Sequence, residues 1–199
     1  MKKIVVGFSR SSKKFPIFSW LIRLYQWSAF SHTYIRLLVR PKFPSDKILH
    51  ASEGLVQNMS STQFDKKHIV TDEFEIFLPD ILVNDKLTGN KKTLYFALIS
   101  IMHEIAGDNY SYIQNVGILY VDFMRKVFKR RVKNPWRKGW NCSEFVASVL
   151  KIIYPNDFED LDPDTVTPLE IYQILERLDK DEKYKIQRVN NGEQATEDR

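Results

Sequence analysis

The chain has 199 residues, 43% of them hydrophobic, with 30 lysines and arginines against 25 acidic residues and a formal net charge of +5. That length suits one domain with a buried core, and the composition excludes a disordered or low-complexity chain. A single cysteine excludes an internal disulfide. The four histidines (His32, His50, His68 and His103) have none of the close spacings of a structural zinc site, so no metal and no cofactor are expected.

The apolar run at the N-terminus ends at Ser9 and Arg10, too soon for a signal-peptide core or a membrane span. A cytoplasmic protein is expected, with delivery elsewhere by a phage or another export route left open. The basic excess gathers in residues 125–138 without any nucleic-acid-binding signature, so it reads as a solvated helix face and no nucleic-acid partner is expected.

In chain order, "KKIVVGF" (2–8) reads as a strand and "FPIFSWLIRLYQWSAF" (15–30) as a helix apolar almost all round. Burial is expected for that helix, because the basic face of an interfacial helix is missing. Alternation in "SHTYIRLLVR" (31–40) puts Thr33, Ile35, Leu37 and Val39 on one side of a strand and His32, Tyr34, Arg36 and Leu38 on the other. Residues 46–60 read as two strands around a turn at Glu53–Gly54, and 73–79 as another strand.

Helical spacing follows over 91–107, ending at Gly107, and over 115–130. A capping box of Thr167, Pro168 and Glu170 starts the last helix, residues 167–178. "NDFEDLDPD" (156–164) lacks the spacing of a calcium loop and reads as solvated. The order of elements argues an α+β fold in a single domain over residues 1–178. Residues 179–199 form a charged tail, partly disordered, with one edge strand in "KYKIQRV".

The lone thiol stands at the start of a helix. From Cys142, apolar residues recur at Phe145, Val146, Val149, Leu150 and Ile153, and Asn141 with Glu144 has the spacing of a capping box. Unpaired N–H groups and the helix dipole at that position favour a thiolate. The competing reading makes Cys142 a small buried hydrophobe. Thiolate catalysis needs a base and a group to orient it. His32 and His50 flank a β-hairpin and share a face if the strand register is even; His68 and His103 read as ordinary surface or core histidines.

"GWNCSEFV" resembles the nucleophile motif of the NlpC-type cysteine peptidases, which have a papain-like fold. "SHTYIRL" followed by "KILHASEGLVQNMS" resembles that family's paired histidine strands, and "AGDNYSY" (106–112) resembles its tyrosine segment. Histidine precedes cysteine here, an order similar to that of the circularly permuted branch with the YiiX-like proteins and the lecithin retinol acyltransferase relatives. Glu144 stands where the motif usually has glycine.

The resemblance implies a small antiparallel sheet packed against helices, with the nucleophile at a helix N-terminus. It makes Cys142 the nucleophile, His32 the base and His50 its orienting partner. Tyr110, Trp140 and Ser143 become substrate or oxyanion contacts. The function implied is an amide-cleaving cysteine hydrolase acting on a peptide or isopeptide, cell-wall peptide included. The alternatives are a lipid acyltransferase or thioesterase with the same triad, for which residues 15–30 and 125–138 would form a peripheral membrane surface, and a non-catalytic binding module.

Overall fold

The computed structural model describes residues 2–12, 17–38, 47–52, 55–108, 112–130, 132–133, 135, 140–162 and 165–189. Tyr110, the expected turn at Glu53–Gly54, Val39 and residues 190–199 lie outside the described residues. The elements are β1 (Lys2–Ser11), α1 (Ile17–Gln26), β2 (His32–Leu37), β3 (Lys47–Ser52), β4 (Leu55–Ser60), α2 (Ser61–Asp65), β5 (His68–Leu78), β6 (Leu82–Asn84), β7 (Lys91–Thr93), α3 (Leu94–Ile105), α4 (Tyr112–Phe128), α5 (Cys142–Ile153), α6 (Pro168–Asp179) and β8 (Ile186–Val189).

The fold is α+β. Six strands form one sheet in the order β4-β3-β2-β1-β5-β8, with every neighbouring pair antiparallel, and β6 pairs with β7 apart from it. The segment Ile186–Val189 is an edge strand on β5, where "KYKIQRV" was expected to supply one. Alternation decides which side chains meet the helices. Ile4, Val6, Phe8, Ile35, Leu37, Leu49, Phe74 and Ile76 join Phe145, Val149 and Leu150 of α5 and Ile171 and Leu175 of α6 in the main core.

The other face of the sheet is different in kind. Tyr34 and Ile48 pack there against Phe64 of α2. Beyond them the face is ionic: Lys3 pairs with Glu75 at 2.6 Å and Arg36 with Glu73 at 2.8 Å, while the Tyr34 hydroxyl donates to Glu73 at 2.6 Å. Gly7 lies opposite Tyr34 in the β1–β2 register, and the tyrosine ring occupies the space a Cβ at Gly7 would need. Here glycine is required by close approach rather than by backbone angle.

Four expectations are corrected. Among its described residues the 15–30 segment forms α1 over Ile17–Gln26 and does not continue to residue 30, and it is not buried: Trp20 is 55% and Trp27 89% exposed. Among the described residues its apolar side chains divide between a protein-facing side with Ile22 and an exposed side with Trp20, Leu21 and Leu24. β5 starts at His68 rather than at residue 73, because Ser9, Arg10 and Ser11 at the end of β1 continue the ladder to Val70, Ile69 and His68. Residues 91–93 pair with β6 as a strand before α3 begins. Ala106, rather than Gly107, caps α3, and Gly107 follows at φ +97°, in the left-handed region that favours glycine.

Among the described residues no helix is long and apolar enough to cross a membrane.

Candidate active site

The helix that carries the thiol is fixed at its start as its residues require. Asn141 accepts from the Glu144 N–H at 2.8 Å, and the Glu144 carboxylate accepts from the Asn141 N–H at 3.4 Å, a reciprocal cap that places Cys142 at the first helical position. Cys142 is 4% exposed and packs against Ala51, Val56 and Trp140 on the helix side of the sheet. The main-chain N–H groups of Thr33, Ser143 and Cys142 itself act on its sulfur, and the Ser143 hydroxyl lies 3.9 Å away.

Those donors favour the thiolate, but burial opposes them and wins, pushing the thiol above its ordinary value. The helix start therefore does not by itself leave a free thiolate at rest. The expected lowering by the N–H groups of the helix start is present, and burial outweighs it.

The imidazoles gather at the end of β2. Its pairing with β3 sets Ile35 opposite Leu49, so His32 and His50 are diagonal neighbours on one face, and His32 Nε2 lies 3.2 Å from His50 Nδ1. The register is even, as the hairpin reading needed. A third imidazole joins them across β1: His68, at the start of β5, stacks on His32 with ring centres 5.0 Å apart. Ser9 lies between the two on β1, and its small side chain leaves room for that stack while its hydroxyl sits 3.5 Å from His68 Nδ1. Phe64 of α2 closes the cluster, stacked on His68 at 4.3 Å and edge-on to His50 at 5.2 Å.

His32 is buried, and burial together with the neighbouring His68 and His50 holds it well below the ordinary imidazole value. It therefore folds neutral, while the unfolded chain protonates it below about pH 6.5. The stability this contributes is complete above that pH and is lost as pH falls toward the folded-state value. The unfolding free energy of the wild type, from urea titration, is expected to fall from pH 7 to pH 5 by roughly 1 kcal/mol per pH unit more than that of His32→Gln. Parallel profiles for the two proteins would contradict it.

The structure thus brings Cys142, Ser143 and Trp140 to one side of the start of β2 and His32 and His50 to the other. Thr33 and the residues after it alternate toward the helices, whereas His32 leaves the strand on the Phe64 side. Among the described residues no hydrogen bond joins Cys142 to His32; the sulfur is tied to this end of β2 through the main-chain N–H of Thr33, the residue after His32. Trp140 is half-buried beside the thiol and donates from Nε1 to Asp108 at 3.1 Å. His103 is exposed on α3, away from this cluster.

His68 is the participant that sequence reasoning missed. The signal that could have found it is the capping box of Ser60 and Gln63, which starts the single turn of α2 and returns the chain to the sheet at His68. No protein-family model matches the chain, and no curated protein matches it.

Proposed function

We propose that this protein is a papain-like cysteine hydrolase of the permuted NlpC type that cleaves an amide bond, in a peptide or isopeptide, through Cys142, His32 and His50. One observation carries the reading: the only thiol of the chain opens a capped helix at the main chain of Thr33, one residue from an imidazole already hydrogen-bonded to a second imidazole. His32 spends Nε2 on His50, which leaves Nδ1 to take the thiol proton. The sulfur adds to the carbonyl carbon as that proton moves to His32, and His50 accepts from the Nε2–H of the imidazolium. The oxyanion is met by the N–H of Cys142 at the helix start. His32 then gives the proton to the leaving amine as the C–N bond breaks, and a water attacks the thioester, passing its proton to His32 and releasing the acid and the thiol.

A second reading, an acyltransferase or thioesterase acting on lipids, has its own observation. A small pocket beside Cys142 is lined by Ile22 and Gln26 of α1 and Ile118 of α4, and the outer sides of those helices expose Trp20, Leu24, Trp27, Phe123 and Phe128. Trp27 also occupies the left-handed residue of a Schellman end, φ 50°, where glycine is usual, with Ser28 N–H bonded to the Arg23 carbonyl at 3.1 Å. An apolar surface therefore leads to the thiol.

One experiment addresses both. Wild-type protein is incubated with matched libraries of peptide amides and long-chain acyl esters, and the intact mass of the protein is followed at short times. A mass gain removed by Cys142→Ala is expected with the amides. Gain with the esters alone would move the assignment to the lipid reading, and no Cys142-dependent gain with either would refute both.

A further inference from the structure

The proposed hydrolysis uses two imidazoles of the cluster, His32 and His50, and gives the third, His68, no part. His32, His50 and His68 each present a ring nitrogen, and these atoms all lie within 4.8 Å of one another. A tetrahedral zinc ion with Zn–N bonds of about 2.0–2.1 Å holds neighbouring ligand nitrogens about 3.3 Å apart. His32 Nε2 and His50 Nδ1 already stand at 3.2 Å. His68 completes the set by a small movement of a half-buried side chain. Nothing in the linear spacing of residues 32, 50 and 68 announces this; the register of four neighbouring strands, β3, β2, β1 and β5, creates it.

The surroundings fit a ligand set rather than a chance stack. The Ser9 hydroxyl lies 3.5 Å from His68 Nδ1, and an oxygen beside one ring nitrogen is the usual support of an imidazole that binds a metal through the other. Phe64 packs flat on His68 and edge-on to His50, so the rings are held by an apolar wall. Three nitrogens without a carboxylate suit zinc and its neighbours in the first transition row, and not magnesium or calcium, which take oxygen ligands.

We propose that His32, His50 and His68 bind one divalent transition-metal ion of the zinc class, with the fourth position left to water. The site stands independently of the thiol reading. Only one corollary rests on that reading: an ion on His32 Nε2 takes the atom that His50 needs to hold the imidazolium, so the loaded protein would be a silenced hydrolase.

The test is a calorimetric titration of the full chain with Zn2+, with Co2+ as an optical reporter. One equivalent of Zn2+ is expected to bind. The Co2+ complex should show tetrahedral visible bands without a thiolate charge-transfer band. His68→Ala and His50→Ala should each weaken Zn2+ at least about tenfold, while Cys142→Ala binds as the wild type does. Far-UV circular dichroism checks that the variants fold, and His68→Gln, which keeps bulk and polarity, replaces His68→Ala if the latter does not. Absence of saturable Zn2+ binding by the wild type overturns the proposal, as does unchanged affinity in the folded His68 variant. A Co2+ thiolate band lost in Cys142→Ala would also overturn it, by moving the ion to the sulfur. Because binding is read as heat and spectrum, failure of the metal site leaves the hydrolase assignment standing, and failure of turnover leaves the metal site standing.

Discussion

Alanine at Cys142 and alanine at His32 are each expected to lower turnover of the best amide substrate about 10³-fold or more, and the double variant should lose little beyond the larger single loss. On the proposed mechanism neither group works alone. Burial favours the protonated thiol and the neutral imidazole, so on that mechanism the nucleophile would form only as the proton moves from one to the other. Removing the base leaves a thiol too protonated to attack; removing the thiol leaves a base with nothing to activate. Steady-state kcat/KM of the two single variants and the double variant measures this. Losses that multiply would mean that the two residues act independently, and the shared proton transfer would have to be abandoned.

Gly7→Ala is expected to destabilise the fold by about 3 kcal/mol, at the upper end of what overpacking a tight site does. For a chain of this size that corresponds to a melting temperature lower by roughly 6–12 °C. An added Cβ would overlap the Tyr34 ring, and the ring has nowhere to go: it is fully buried, and its hydroxyl is held by Glu73, itself paired with Arg36. The same substitution in a Tyr34→Leu background should lose most of its effect, since the atoms it meets are gone. Differential scanning calorimetry of the four proteins closes the cycle. A Gly7→Ala protein as stable as the wild type would show that β1 and β2 can part there without penalty.

The parts of the fold that were legible in the sequence are those set by local physics. The alternation of Thr33, Ile35 and Leu37 against His32, Tyr34 and Arg36 is the alternation of the folded strand, and the capping boxes at Asn141 and Thr167 start α5 and α6 where their side chains said they would. What depends on neighbours was not legible. The apolar residues of α1 suit a core as well as a surface, because no linear pattern says whether another element will cover a helix, and in the structure Trp20, Leu21 and Leu24 are exposed. His68 looked like a surface residue beside Lys66 and Lys67, and only the lengthened β1–β5 ladder brings it under Phe64. The thiol illustrates the same division: its place on the helix was readable, whereas the direction of its acidity turned on how deeply Ala51, Val56 and Trp140 enclose it.

The imidazoles and the thiol come from distant parts of the chain: His32, His50 and His68 from the strands β2, β3 and β5, and Cys142 from α5. During synthesis the ribosome therefore releases every histidine of the cluster, and the hairpin that aligns two of them, some seventy residues before the sulfur emerges. On the proposed mechanism a nascent or truncated chain would hold its proton acceptors with no nucleophile beside them, and reactivity would begin only with the last third of translation.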